Sequence, residues 1–400
     1  MDTVYLDNNA TTRMDADVLA AMLPYFTEQF GNASSLHAFG VEVSGALKMA
    51  RRQLQALLGA AHDHEIIYTS GGTESNNTAL LSGLEAQPGR DEIITTVVEH
   101  PAILSAAAQL EKSRGVKVHY IGVDAAGRLD MDAYRQALSP RSALVSVMWA
   151  NNETGTIFPV EELAELAHGV GALFHTDAVQ AVGKISIDIK KTVIDMLSLS
   201  GHKLHGPKGI GALYVRKGVK FTPLIRGGHQ ERGRRGGTEN APAIIGLGKA
   251  AELAQSFLED EQIRVRGMRD RLERGVLGQI GYCVVSGDFQ NRLPNTSNIA
   301  FEYLDGEAIL LHMNRHGLAA SSGSACTSGS MEPSHVLRAM GLPHTALHGA
   351  IRMSLSRENT EEDVDRVLEI LPGVVTKLRE LSPLWRDRQL GAKVGVETYV

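Results

Sequence analysis

The chain has 400 residues, of which 43% are hydrophobic and 22% charged, values that are ordinary for a folded protein with one large domain and a smaller companion. Its net charge of -6 argues against a general polyanion binder, because neutralising phosphates needs an excess of Lys and Arg. We therefore expect no nucleic acid partner.

The amino terminus reads MDTVYLDNNATT and contains neither the basic region nor the apolar region of a secretion signal. Farther along the chain, no stretch reaches the roughly 18 uninterrupted apolar residues that a membrane span requires. These two observations predict a cytoplasmic protein with no membrane contact.

Through the first two thirds of the chain, short β-branched runs alternate with helical stretches such as Pro159–Val170, a pattern typical of βαβ units and a mainly parallel sheet. Ligands of such α/β sheets bind beyond the carboxyl ends of the strands, so residues that follow a strand are the first candidates for chemistry. The predicted strands are Glu65–Thr69, Ile93–Val98, Lys117–Ile121, Ala143–Trp149, Ala172–His175, Ile194–Ser198 and Gly211–Val215.

From Ala241 to Leu277 the pattern is long and helical and could connect two domains, with a boundary near Ser256–Arg264. The remainder predicts a smaller α+β domain, with a peripheral stretch from Leu381 onwards. Its predicted strands are Tyr282–Val285, Ser297–Phe301 and Ile351–Ser354, and its predicted helices cover Gly306–His316 and Thr360–Leu378.

The segment Ser70–Asn77 reads SGGTESNN between a strand and an apolar helix. Backbone N–H groups of Gly71, Gly72 and Thr73, with the threonine hydroxyl, could bind a phosphate there. A simple glycine turn with Thr73 as the helix N-cap explains the same residues.

Two further strand ends carry charged residues. Asp177 follows an apolar strand and needs a cationic partner, which a protonated pyridine ring could supply, although a helix N-cap or a buried ion pair would also account for it. Lys203 follows Ile194–Ser198 in a glycine-rich turn, where a Schiff-base lysine or a solvated loop lysine is possible. His202 and His205 lack a carboxylate or thiol at matching spacing, so we expect no metal site.

The chain has two cysteines, which excludes a disulfide framework. Cys283 lies among larger apolar residues and is interpreted as structural, whereas Cys326 lies in AASSGSACTSGS, a run of small residues that suits a mobile nucleophilic thiol. A cysteine hydrolase that pairs Cys326 with His335 is a weaker interpretation, because that run is rich in glycine.

A basic loop follows at residues 226–240, with the sequence RGGHQERGRRGGTEN. It resembles an arginine–glycine nucleic acid patch but lacks interleaved aromatic residues. A loop that closes over an anionic cofactor or substrate is the more economical interpretation, and a solvated loop remains possible.

Together these segments, with VVEHPA, WANNETGT, FHTDAVQAVGK, SGHKLHGPKGIGALYVR and SSGSACTSGS, resemble the cysteine desulfurase family over nearly the whole chain. Their order and the 26-residue step from Asp177 to Lys203 resemble an aspartate-aminotransferase-like, fold-type I enzyme. WANNETGT and HQERGRRGGTEN are more similar to the nitrogen-fixation branch, NifS, than to the housekeeping branch, IscS.

The resemblance implies an α/β fold-type I pyridoxal-phosphate transferase, with a large domain of residues 15–258 built on a seven-stranded, mainly parallel sheet. Residues 1–14 and 259–400 would form a small α+β domain that carries the cysteine loop, residues 319–333. The implied protein is a homodimer that converts L-cysteine to L-alanine and leaves sulfur as a persulfide on Cys326. An iron–sulfur scaffold protein would accept that sulfur, for nitrogenase assembly. A selenocysteine lyase or another fold-type I aminotransferase or lyase is the alternative.

The resemblance also implies a role for each site residue. Lys203 would bind pyridoxal 5'-phosphate covalently, Asp177 would pair with the ring nitrogen, and Arg352 would bind the substrate carboxylate. The other implied residues contact the cofactor: His100 stacks on the ring and shuttles protons, Asn152 and Gln180 contact the phenolic oxygen and the substrate side, Gly72, Thr73, Ser200 and His202 hold the phosphate, and Thr238 reaches in from the partner subunit.

Overall fold

The computed structural model of this protein describes residues 3–322 and 333–390. No helix in these two ranges is long and apolar enough to cross a membrane. The strands of this part of the chain are β1 (Val4–Tyr5), β2 (Ile66–Thr69), β3 (Glu92–Thr96), β4 (Lys117–Ile121), β5 (Ser142–Ser146), β6 (Leu173–Asp177), β7 (Met196–Ser200), β8 (Gly211–Val215), β9 (Cys283–Val285), β10 (Thr296–Phe301), β11 (Leu318–Ala319) and β12 (Ala350–Ser354).

Helices pack against the strands of the central sheet and of the small antiparallel sheet. In chain order they are α1 (Ala16–Met22), α2 (Pro24–Thr27), α3 (Ala38–Leu58), α4 (Gly72–Ala86), α5 (Pro101–Arg114), α6 (Met131–Ala137), α7 (Val160–Gly169), α8 (Ala241–Ser256), α9 (Leu258–Asp260), α10 (Arg266–Gln279), α11 (Gly306–Arg315), α12 (His335–Ala339), α13 (His344–Leu347), α14 (Glu361–Leu381) and α15 (Pro383–Gln389).

The central sheet contains seven strands in the order β2-β8-β7-β6-β5-β3-β4. β8 runs antiparallel to both of its neighbours, and the other pairings are parallel. The seven strands predicted for the first two thirds of the chain are therefore confirmed: β4 and β8 have the predicted ends, and the ends of the other five differ by at most three residues. Because β6 and β7 are neighbours, their carboxyl ends bring Asp177 and Ser200 to the same edge of the sheet.

A second, smaller core lies around the antiparallel sheet β12-β10-β9 and the parallel pair β1 and β11. Its buried side chains come from Val4 and Leu6 at the amino terminus and from residues 265–375. A separate cluster fills the space around α3, α8 and the central sheet. The division into residues 15–258 and a small domain is compatible with these two cores and stays a prediction.

The predicted helical connection from Ala241 to Leu277 is present as α8, α9 and α10, with one π-helical turn at Glu261–Val265. This turn lies at the predicted domain boundary, and Glu261 and Val265 are buried in it. The chain thus passes from the large core to the small core along an almost continuous helical path.

Candidate active site

The turn between β2 and α4 is built from glycine. Gly71 has φ 154° and ψ -176°, a backbone conformation that residues with a side chain disfavour. Gly211, the first residue of β8, lies so close that a Cβ on it would be only 2.7 Å from the Gly71 Cα. Gly72 opens α4 close to Ser200, so backbone N–H groups and a hydroxyl converge there, as a phosphate site requires. The alternative with Thr73 as N-cap is wrong, because Gly71 is the N-cap residue and Thr73 lies exposed in the first turn.

Asp177 ends β6 with 7% of its surface exposed. Its Oδ2 accepts a hydrogen bond from Asn76 Nδ2 at 2.6 Å, and its Oδ1 accepts one from the Val179 N–H at 3.0 Å. A helix N-cap does not explain Asp177, because residues 178–188, which follow it directly, contain no helix. Neutral donors hold the carboxylate, which leaves its negative charge available to a positively charged ligand.

Lys203 lies in the 3-10 turn Gly201–Lys203, directly after β7. Its Nζ donates hydrogen bonds to the backbone carbonyl oxygens of Ala10, at 2.7 Å, and of Asn9. Lys203 is half-buried, so the interpretation as a solvated loop lysine is wrong.

His100 is the N-cap residue of α5, and its Nδ1 accepts a hydrogen bond from the Ala102 N–H at 3.1 Å. Burial lowers the pKa of His100, and the positive charge of Lys203 adds to this effect, whereas Asp177 opposes it. These mutual effects place His100 within electrostatic reach of both residues. The imidazole is therefore neutral near pH 7, and its proton lies on Nε2 because Nδ1 accepts the Ala102 N–H.

Arg352 lies on β12 and is 2% exposed. Its Nη2 donates to Asp7 Oδ1 at 2.8 Å and its Nη1 donates to the Asn152 carbonyl oxygen at 3.0 Å. Its backbone pairs with Ser321, five residues before Cys326 in the chain. Cys326 itself, with most of the predicted cysteine loop, lies outside the described residues.

Gln180 and His202 complete the polar surroundings of Lys203. Gln180 Nε2 donates to the Asn9 carbonyl oxygen at 3.0 Å, and its Oε1 is buried with no hydrogen-bond partner in the described part of the chain. His202 Nδ1 lies 3.1 Å from Thr11 Oγ1. Burial, with the charges of neighbouring lysines, lowers the pKa of His202 to about 4.

Three ion pairs connect the basic loop to residues outside it, and two of them engage both oxygens of a carboxylate. Arg235 binds both carboxylate oxygens of Glu74, and Glu231 binds the Arg51 guanidinium with both of its oxygens. Thr238 is exposed and lines a groove of about 210 Å³. Because Arg235 is already paired, the interpretation as a nucleic acid patch loses support.

One segment that was not predicted to belong to the site is residues 7–12, which we call the strap. It contacts five of the predicted site residues. Asp7 binds Arg352, Asn9 binds Asn152 and Gln180, the carbonyl oxygens of Asn9 and Ala10 bind Lys203, and Thr11 and Thr12 bind His202. The only local signal was the polar run DNNATT itself.

The strap joins site residues that are far apart in sequence. A continuous set of hydrogen bonds leads from Lys203 through Asn9 to Asn152 and Arg352. The buried carboxylate of Asp177, the glycine turn at Gly72 and the unpartnered Gln180 Oε1 suit an anionic cofactor with a cationic ring. Within the described ranges, no group of three or more His, Cys, Asp or Glu side chains is arranged to hold a metal ion.

The fold and this site define a class of protein. Residues 4–367 match the family model described as aminotransferase class-V, and the chain belongs to that family. It is 71% identical over 395 residues to a cysteine desulfurase of Gluconacetobacter diazotrophicus, and the match covers 99% of this chain and 98% of that protein. It is 62% identical over 385 residues to the cysteine desulfurase NifS of Azotobacter vinelandii, with 96% of each chain covered.

A solved structure of a NifS-like protein has the same fold. It superposes with a TM-score of 0.88 at 37% sequence identity, and the match covers 94% of this chain and 100% of that chain. The predicted fold class and the predicted family are confirmed by these comparisons.

Proposed function

We propose that this protein is a pyridoxal-phosphate-dependent cysteine desulfurase, which converts L-cysteine to L-alanine and transfers the sulfur to Cys326 as a persulfide. The observation that carries the proposal is the hydrogen-bonded set that connects Lys203 through Asn9 to Arg352, since it combines an amine for a carbonyl cofactor with a guanidinium for an amino acid carboxylate. The two relatives named cysteine desulfurase, at 71% and 62% identity, support the same reaction.

The class-V aminotransferase family depends on pyridoxal phosphate, and this chain has residues that fit it. Lys203 would carry the cofactor covalently, the Asp177 carboxylate would face the ring nitrogen, and His100 would lie against the ring. The bound cofactor supplies an electron sink for the carbanion that forms when the substrate loses its Cα proton. The remaining contacts are assigned to Gly72, Thr73, Ser200 and His202 for the phosphate and to Asn152 and Gln180 for the phenolic oxygen and the substrate side.

Residues of this chain then have distinct tasks in the reaction. Arg352 binds the cysteine carboxylate, for which its two-pronged guanidinium is suited, and the Lys203 amine removes the Cα proton. His100, whose neutral imidazole carries its proton on Nε2, shuttles protons at the ring face. The Cys326 thiolate forms a bond to the substrate sulfur as the carbon–sulfur bond breaks, and after protonation the carbon skeleton leaves as alanine.

A homodimer is part of the proposal. Large apolar side chains of residues 19–49 are exposed, including Phe30 at 67% and Leu36 at 97%, and such a group of side chains is typical of a surface that another protein covers. A groove of about 640 Å³ between α4 and α5, lined by His100 and Leu224, offers a second apolar surface beside the site. Thr238, exposed here, would contribute to the cofactor site of the partner subunit.

The sulfur acceptor is proposed to be an iron–sulfur scaffold protein, and the role to be nitrogen fixation in the cytoplasm. Support comes from the 62% identity to the protein named NifS. The 71% identical relative from Gluconacetobacter diazotrophicus is named only as a cysteine desulfurase, so its name supports the reaction and gives no information about the sulfur acceptor.

Two measurements test the reaction. The purified protein should show the absorbance band of bound pyridoxal phosphate, and a Lys203→Ala variant should lack it. After addition of L-cysteine, mass spectrometry should find one extra sulfur on Cys326. A Cys283→Ser variant is the matched control, because the Cys283 thiol donates to the Ile280 carbonyl oxygen and burial raises its pKa.

Cys326→Ala should abolish persulfide formation, while Cys283→Ser should keep it. If Cys326→Ala formed alanine from L-cysteine as fast as the parent, the desulfurase mechanism would be wrong and a lyase of the same fold would take its place. A parent protein that is colourless and takes up no added pyridoxal phosphate would contradict the whole proposal.

A further inference from the structure

Asn9 occupies the centre of the strap and is 1% exposed. Its side-chain Nδ2 donates to Thr296 Oγ1 at 2.8 Å and to the Asn152 carbonyl oxygen at 3.1 Å, and its Oδ1 accepts from Asn295 Nδ2 at 3.0 Å. Its backbone N–H donates to Ser354 Oγ at 2.9 Å. The Asn9 backbone is therefore fixed from several sides by both domains.

The carbonyl group that this arrangement fixes points at Lys203. The Asn9 oxygen accepts hydrogen bonds from Lys203 Nζ and from Gln180 Nε2, and the neighbouring Ala10 oxygen accepts from Lys203 Nζ at 2.7 Å. A neutral primary amine has two N–H groups and one lone pair. When two fixed carbonyl oxygens engage the N–H groups, the direction of the lone pair is fixed as well.

We propose that Asn9 is a positioning residue for Lys203: its side chain holds the carbonyl groups of Asn9 and Ala10 where they bind the Lys203 amine whenever that amine is not bonded to the cofactor. The inference rests on the proposed function, in which the substrate amine replaces Lys203 before the Cα proton is removed. A released amine on a long flexible stem loses orientation unless something holds it, and orientation is a large part of proton-transfer efficiency.

A purely structural role for Asn9 is the competing explanation, since the same hydrogen bonds connect the two domains. The chain offers a matched control in the adjacent residue. Asn8 is also an asparagine, is 3% exposed, and donates from Nδ2 to the Ser354 carbonyl oxygen at 2.9 Å and to Asn359 Oδ1 at 3.4 Å. The hydrogen bonds of its side chain do not reach a site residue. Loss of either asparagine side chain should lower stability, but only loss of Asn9 should affect Lys203.

The experiment uses the cofactor-loaded full chain and hydroxylamine. Hydroxylamine forms a carbon–nitrogen bond to the cofactor as the bond to Lys203 breaks, and the lysine leaves as an amine, so loss of the cofactor band reports on lysine release alone. Hydroxylamine has no carboxylate and no sulfur, which makes the readout independent of Arg352 and Cys326. The rate of this loss is compared for the parent, Asn9→Ala and Asn8→Ala, with thermal unfolding of each.

Asn9→Ala should slow lysine release about tenfold, the equivalent of roughly one net hydrogen bond. Asn8→Ala should stay within about twofold of the parent at a similar loss of thermal stability, because its lost hydrogen bonds have the same usual value. Thr296→Val removes only one of the acceptors that the Asn9 side chain uses. It should slow lysine release by about threefold, because only part of the free energy of one net hydrogen bond is lost. This milder variant keeps the test available if Asn9→Ala does not fold.

The inference is overturned if the altered variants that fold, Asn9→Ala or Thr296→Val, release Lys203 at the parent rate, or if Asn8→Ala slows release as much as Asn9→Ala. A parent protein without any cofactor band gives a different result, which overturns the proposed function together with this inference. The two failures are therefore distinguishable in one experiment.

Discussion

Removing the Arg352 guanidinium tests whether this side chain recognises the substrate carboxylate. Arg352 is almost fully buried, and its two Nη atoms already hold Asp7 and the Asn152 carbonyl oxygen, which fixes the plane of the guanidinium. A hydrogen bond between charged groups is worth about 1.5–3 kcal/mol, so Arg352→Ala should lower kcat/KM for L-cysteine by about 10- to 150-fold. Most of the loss should appear in KM if the carboxylate is bound equally in the ground and transition states.

The assay compares sulfide release from L-cysteine with release from cysteamine, which lacks the carboxylate. Arg352→Ala should lose preference for L-cysteine and keep its kcat/KM for cysteamine within about threefold, because the missing contact is worth nothing to that substrate. Arg292→Ala is the control for stability, since Arg292 is a similarly buried guanidinium paired with Glu273 in the same small core. If Arg352→Ala kept the parent ratio of cysteine to cysteamine turnover, the assignment of Arg352 would be refuted.

Three further predictions concern buried charges. Burial raises the pKa of Glu99 to about 8, so as pH rises Glu99 ionises in the unfolded chain before it ionises in the folded protein. The free energy of unfolding should therefore fall between about pH 4.5 and 8, by at most about 1.4 kcal/mol per pH unit. Glu99→Gln should flatten this slope, measured by urea unfolding at several pH values. Glu231→Ala should lower the free energy of unfolding by about 3–5 kcal/mol, because it leaves the Arg51 guanidinium unpaired. The Arg51→Ala/Glu231→Ala double variant should lose less stability than the two single variants lose in sum. Lys184 and Glu261 line one cavity of about 20 Å³. The double variant Lys184→Met/Glu261→Gln should lose less stability than the two single variants lose in sum, and the difference should be about 0.5–3 kcal/mol in thermal unfolding.

The seven strands of the central sheet could be predicted because each is a short β-branched run that is bounded by polar or glycine residues. Their ends were less certain for a physical reason. Val147 and Trp149, beyond the end of β5, still donate backbone hydrogen bonds to β6, so the residue pattern continues where the regular ladder stops. The pair β1 and β11 was not predicted, since two-residue strands that join residues 4–5 to 318–319 have no local pattern.

The same reasoning explains which site residues the sequence could indicate. Asp177 and Lys203 follow strands, where a charged residue is informative, and both lie at the predicted edge of the sheet. The role of Arg352 rested on the family resemblance, because a charge within a strand reads as an exposed edge residue until its burial is known. No role was predicted for residues 7–12, since Asn, Asp and Thr are mostly exposed and their run has no helix or strand pattern.

The burial of the strap affects how the two sheets that carry Lys203 and Arg352 are held relative to each other. Lys203 directly follows β7 of the central sheet and Arg352 lies on β12 of the small sheet, so the distance between the amine and the guanidinium depends on how these two sheets are held together. Asn9 hydrogen-bonds to Thr296 on one side and to the Asn152 carbonyl oxygen on the other. Loss of the Asn9 side chain therefore alters the geometry at both ends of a bound amino acid, and we expect it to affect turnover rate and substrate preference together.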